Sequence, residues 1–317
     1  MKRLLAPLLA ALLAAAAPAL AEDAVTVDDA LRESVVMAAA EALDRAYVFP
    51  DVAKRMGDEI KARLRAGAYA QAATPAELAK LLTAQLQAVS RDKHLRVVAG
   101  DFAFARSHKA GPANFGFEKV ERLPGNIGYL ELRTFLAAGP AAAEAAAAAM
   151  SSLADADALI VDLRRNGGGN PAMVALVSSY LFDERTHLNS LYWREGDRTE
   201  EFWTDTAVAG TRFGQRKPVF VLTSRRTFSG AEEFSYNLKT LKRATLVGET
   251  TGGGAHPGAI RKLGEHFSMF VPTGRAVNPI TRTNWEGTGV VPDVEVPAEL
   301  ALEKALELAR AAVGRKS

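Results

Sequence analysis

The chain has 317 residues, 39 lysines and arginines against 37 acidic residues, no cysteine, and 48% apolar side chains. That length holds a small domain beside a larger one with its own core. The near balance of charge excludes the basic footprint of a nucleic-acid binder, and the lack of thiols excludes disulfides, thiolate metal sites and a cysteine nucleophile.

Lys2 and Arg3 precede an apolar run from Leu4 to Ala17, and Ala19-Leu20-Ala21 forms an A-x-A cleavage signal. Residues 1–21 therefore read as a signal peptide, and the expectation is a periplasmic or secreted protein cleaved after Ala21. The run is too short to span a bilayer and no later one reaches ~18 apolar residues, so no stable membrane anchor is expected. Cleavage removes the two early cations and leaves 37 basic and 37 acidic side chains, a formally neutral chain.

From Val27 to Leu86 apolar residues recur at helical spacing on successive faces: Leu31, Val35, Leu43; then Met56, Ile60, Leu64; then Leu78, Leu82, Leu86. This predicts an N-terminal helical bundle, with residues 22–110 holding it and the segment that leads out of it. The stretch S-R-D-K-H-L-R-V-V places His94 just before a strand. Residues 111–317 read as an α/β domain. Its first strands, Gly116–Val120 and Asn126–Leu132, flank a Pro124-Gly125 turn, and an alanine-rich helix follows over Pro140–Leu153.

Two strand-turn-helix junctions come next. Asp157–Leu163 is a buried strand, R-R-N-G-G-G-N a glycine turn, and Pro171 opens a helix through Met173, Val174 and Val177. Leu188–Tyr192 and Thr199–Thr204 read as an antiparallel pair. Val219–Thr223 is a second buried strand, and its helix runs through Ala231, Phe234, Leu238 and Leu241, which puts Ser229 and Gly230 at the junction. Ser229 with Glu232 fits a capping box, an ordinary structural role. A nucleophile fits as well, because the unpaired N–H groups at a helix mouth can hold an oxyanion and glycine allows close approach. One junction rich in glycine N–H groups and one carrying a serine together favour acyl transfer.

Ala244–Glu249 is a further buried strand, ending in T-T-G-G-G-A. No glycine cluster carries the lysine and hydroxyl of a phosphate loop, and His108, His187, His256 and His266 lack zinc-hydrolase spacing, so neither metal nor other cofactor is expected. From Ala298 the tail reads as an amphipathic helix on Leu300, Leu302, Ala305, Leu306 and Leu308, packed on the exterior.

The ordered motifs D-L-R-R-N-G-G-G, T-S-R-R-T-F-S-G-A-E-E-F, G-E-T-T-G-G-G-A and N-W-E-G-T-G-V-V-P-D resemble one serine peptidase family. It contains the C-terminal processing peptidases, the tricorn core protease and the interphotoreceptor retinoid-binding protein, and the resemblance is nearest to the last branch. It implies a helical bundle followed by a crotonase- or ClpP-like core of ββα units, without the PDZ module of the processing peptidases. It implies Ser229 as nucleophile. The lysine of the processing peptidases falls at Gly254, so the resemblance implies a histidine base instead: His94, within Asp92-Lys93-His94, oriented by Glu286. His256 is the rival base, since it follows a glycine loop. Gly230 and Gly168 are the expected oxyanion donors, and Gly167, Gly169, Gly253 and Gly254 the expected groove. The implied substrate is a peptide or unfolded protein. An esterase would use the same groups, and a carrier of retinoid or fatty acid could use Phe115, Phe117, Tyr192, Trp193, Phe202, Trp203, Phe228 and Trp285 as an apolar cleft.

Overall fold

A computed structural model describes residues 25–102 and 114–314. The expected signal peptide, residues 1–21, and His108 lie outside the described residues. Among those described, no helix is long and apolar enough to cross a membrane.

Helices α1 (Asp29–Ala46), α2 (Pro50–Arg65) and α3 (Pro75–Ser90) form the N-terminal bundle. Asp28 caps α1 by accepting the Leu31 N–H, and Thr74 with Glu77 closes a capping box on α3. Helix α3 stops where Arg91 turns left-handed at φ 60°. The chain then passes through Asp92 and His94 into β1 (Arg96–Ala99). Strand β1 joins two later strands, β9 (Gly258–Lys262) and β10 (Phe267–Pro272), in an antiparallel sheet of order β1-β10-β9. Leu43, Met56 and Leu82 share one core with Leu95, Phe267, Met269 and Val271, so the bundle closes against strands from far along the chain.

The main sheet has the order β12-β8-β7-β4-β3-β2. Its strands are β2 (Phe117–Leu123), β3 (Ile127–Leu132), β4 (Ala158–Asp162), β7 (Val219–Thr223), β8 (Thr245–Gly248) and β12 (Val294–Glu295). Only β2 and β3 pair antiparallel, as a hairpin; the rest are parallel. Parallel strands covered on both faces need apolar residues throughout, which explains the unbroken apolar runs of β4 and β7. Leu159, Val161, Val219 and Val221 face helices α4 (Pro140–Ser152), α5 (Pro171–Ser179) and α6 (Gly230–Thr240). Ile160, Phe220 and Leu222 face the C-terminal helix α7 (Ala301–Gly314).

Helix α7 corrects the expected stripe. Its buried residues are Ala301, Ala305 and Ala309, while Leu300 is 49% exposed and Leu302, Leu306 and Leu308 are partly buried. Small side chains let the helix lie close to the sheet. A third, antiparallel sheet joins β5 (His187–Trp193) to β6 (Arg198–Trp203) and to β11 (Gly274–Val277).

Candidate active site

Strands β4, β7 and β8 are parallel neighbours in register, Asp162 opposite Leu222 and Thr223 opposite Gly248. Their carboxyl ends therefore deliver three loops to one edge of the sheet, where open α/β folds bind ligands. The loops are cross-tied. Thr227 Oγ1 donates to the Leu163 carbonyl at 2.8 Å, the Phe228 N–H to the Asn166 carbonyl at 3.1 Å, and the Gly252 N–H to the Thr227 carbonyl at 3.0 Å. Asn166, fully buried, holds the glycine turn by donating to the Leu132 carbonyl at 2.9 Å.

Ser229 heads α6 at φ 54° and ψ −122°, a left-handed-side conformation that costs a non-glycine residue about 1–3 kcal/mol. The capping box with Glu232 forms, but an ordinary N-cap is extended, so capping alone does not account for this backbone. A strained serine on a sharp strand-to-helix turn is instead the form of a nucleophile elbow. The turn facing it must be glycine: Gly168 has φ +104°, and a Cβ there would lie 2.7 Å from Gly230 N, Phe228 O and Ser229 Cβ.

One expected donor is engaged within the turn. The Gly168 N–H donates to Asn166 Oδ1 at 2.8 Å. Among the described residues the N–H groups of Gly169 and Gly230 donate to no protein acceptor. They are neighbours, since a Cβ on Gly230 would stand 3.0 Å from Gly169 N. Gly169 and Gly254 line a narrow cavity with Ser229 and Gly230, whereas Gly167 is exposed with open space beyond it. Gly253 sits behind the cavity, its N–H held by Glu232. A more open depression around Lys239, Lys242, Arg243 and Asp293 contains none of these groups.

Glu232 is fully buried and does more than cap a helix. Its carboxylate accepts from Ser229 N at 2.8 Å, Thr251 Oγ1 at 2.5 Å, Gly253 N at 2.6 Å and Gly254 N at 2.8 Å. Burial pushes its pKa up and these four donors pull it back. One side chain thus clamps the serine turn to the loop after β8.

His94 arrives from the bundle side. Its ring lies 4.6 Å from that of Phe228, the residue before Ser229, and 5.9 Å from that of Phe270. Gly254 makes the room: a Cβ there would stand 2.7 Å from His94 Cε1 and 2.5 Å from Phe228 Cε2. A lysine at that position would have to displace both rings. Among the described residues no hydrogen bond joins Ser229 to His94.

The acids lie behind the imidazole. Asp92, His94 and Glu286 each bring one donor atom to within 4.8 Å of the others. Asp92 accepts from the main-chain N–H of His94 at 3.0 Å and from the Tyr47 hydroxyl at 3.1 Å. It also holds His256 Nδ1 at 2.7 Å, so the fully buried Asp92 is already saturated and ill placed to bind a cation. Glu286 accepts the Ala255 N–H on one oxygen at 2.5 Å; its other oxygen and His94 Nδ1 are both enclosed and without a hydrogen-bond partner. Burial drives the His94 pKa down to about 4, with Asp92 opposing, so the imidazole is neutral at pH 7. Burial, reinforced by Asp92, raises that of Glu286. His256 is committed elsewhere, bonded to Asp92, 3.5 Å from Glu286 and edge-on to Phe49.

Of the eight aromatic residues considered for a carrier cleft, Trp285 alone lines the cavity beside Ser229, and Phe117 belongs to the domain core.

This fold and site define a class. The chain belongs to peptidase family S41, whose model matches residues 126–296, and residues 14–114 match the N-terminal domain of peptidase S41 in eukaryotic IRBP. It is 30% identical over 174 residues to the chloroplastic C-terminal processing peptidase of Tetradesmus obliquus, covering 55% of this chain and 36% of the relative. It is 26% identical over 188 residues to the carboxy-terminal-processing protease of Bartonella bacilliformis, covering 56% of this chain and 41% of the relative. The matches thus span well under half of these relatives' lengths. Among solved structures, the photosystem II D1 C-terminal processing protease superposes with a TM-score of 0.56 at 17% identity, over 89% of this chain and 97% of that one. The tricorn protease does so with a TM-score of 0.60 at 16% identity, over 90% of this chain and 37% of that one.

Proposed function

We propose that the protein is an exported serine endopeptidase that cleaves peptide or unfolded protein substrates through an acyl-enzyme. The observation that carries this reading is the strained Ser229 beside two unengaged N–H groups, with His94 one residue away against Phe228. Ser229 Oγ attacks the peptide carbonyl while His94, neutral at pH 7, takes its proton and later returns it to the leaving amine. Glu286 orients the imidazole: its free oxygen and His94 Nδ1 are the two enclosed polar atoms at this place that lack partners, and each satisfies the other once the site tightens. Gly230 and Gly169 donate to the oxyanion, one such donor being worth ~3 kcal/mol of barrier. Water then deacylates Ser229 by the same base.

The test is hydrolysis of a peptide library with Ser229→Ala as the blank, alongside fluorophosphonate labelling. Cleavage lost in Ser229→Ala and a stoichiometric adduct at Ser229 support the peptidase. No adduct, with saturable retinoid or fatty-acid binding, would make it a carrier. An adduct with turnover of esters but not peptides would make it an esterase.

A further inference from the structure

The cavity beside Ser229 contains one group that the proposed chemistry does not use. Glu233, in the first turn of α6 and 4% exposed, lines it together with Ser229 and Gly230. The walls are apolar, chiefly Leu191, Ala276 and Trp285. Glu233 Oε1 is enclosed and has no hydrogen-bond partner, and no salt bridge reaches the carboxyl among the described residues. The one group that favours its charged form is the side chain of Asn189 on β5, and burial pushes its pKa up to about 8. Burial without a charged partner opposes ionisation of this carboxyl and leaves one of its oxygens without a hydrogen bond, so the cavity wall holds a polar group that the fold itself does not satisfy. Packing does not require it, because an apolar side chain would match these walls.

The geometry points to Glu233 as the specificity residue of the pocket that receives the substrate side chain on the acyl side of the scissile bond, where it selects a basic residue. This rests on the peptidase reading. A carbonyl held by the N–H groups of Gly169 and Gly230 lies at the rim of this cavity, since both glycines line it. The side chain next to that carbonyl then enters the cavity, its methylenes against Leu191 and Trp285 and its cation against Glu233. The incoming cation stabilises the ionised carboxylate, and no covalent step is involved.

The experiment compares peptides that differ at that one residue: lysine, the uncharged norleucine of similar shape, and glutamate. In wild-type protein kcat/KM for lysine should exceed norleucine by ~10-fold or more, with glutamate poorest. In Glu233→Gln and in Glu233→Met the lysine-to-norleucine ratio should fall towards one. Equal rates for lysine and norleucine in wild type, or an unchanged ratio in a folded variant, would overturn the assignment. Because Ser229 labelling is scored in the same wild-type samples, a labelled enzyme that ignores lysine sinks this inference alone. Absent labelling and absent cleavage sink the peptidase reading and this one with it.

Discussion

The two halves of the site are built differently. The serine and glycine turns each follow a central strand of the parallel sheet and are tied to one another through main-chain and hydroxyl bonds, and the Glu232 carboxylate, accepting from four donors, clamps the serine turn to the loop after β8. The base half is assembled from the end of α3, the loop after β8 and the segment before β12, and two of its polar atoms, on His94 and Glu286, are enclosed but unpaired. On the proposed chemistry this makes a stiff electrophile-binding half and an adjustable proton-transfer half. The first is paid for by the strain at Ser229; the second can close on substrate.

That contrast can be broken by substitution. The largest effect belongs to the groups proposed to react: Ser229→Ala or His94→Ala should lower kcat by ~10⁴-fold or more, and removing both should cost little beyond either one. His256→Ala should cost far less, because that ring is held by Asp92 against Phe49. Next comes the clamp. Glu232→Gln keeps the shape but loses charge-assisted bonds, and kcat/KM should fall by ~10²-fold with a lowered melting temperature. Gly168→Ala, which must displace the serine turn, should cost about 1–3 kcal/mol of stability along with activity.

A pH measurement sharpens the comparison. His94 in the folded chain has a pKa near 4, below the 6.5 of an unconstrained imidazole, so the unfolded chain binds the extra proton first. Its contribution to stability is therefore complete above pH 6.5 and is lost as pH falls from there towards 4. The His94→Gln variant should show a flatter stability profile across that window, and the ring resonances of His94 should titrate near 4 by NMR. The smallest effect lies away from the site: Ala305→Leu should destabilise by ~1–3 kcal/mol through overpacking of α7, with kcat/KM unchanged.

Much of this is legible in the residues. Strong periodicity marks α1 to α3, and unbroken apolar runs mark β4 and β7, so the two junctions and the position of Ser229 follow directly. Strands β9 to β11 do not announce themselves. Residues 258–277 mix charged, glycine and apolar positions, and β10 is buried along nearly its whole length, so no alternation appears; β10 pairs with β1 and β9, and β11 with β5. In R-R-N-G-G-G-N nothing local tells which glycine N–H is taken by the Asn166 side chain; that bond is why Gly169 stands beside Gly230 in the proposed oxyanion site. Glu232 is visible as a cap partner three residues after Ser229, but its bonds to Thr251, Gly253 and Gly254 span a loop that only the sheet brings near. In α7 the leucines draw the eye, whereas close packing selects the alanines.

The convergence of His94 on Ser229 is tested most directly by the rate at which a fluorophosphonate labels Ser229 in wild type, His94→Ala and His256→Ala. The account predicts that labelling slows by ~10³-fold or more in His94→Ala and stays near wild type in His256→Ala. Undiminished labelling in His94→Ala, or a greater loss in His256→Ala, would contradict it.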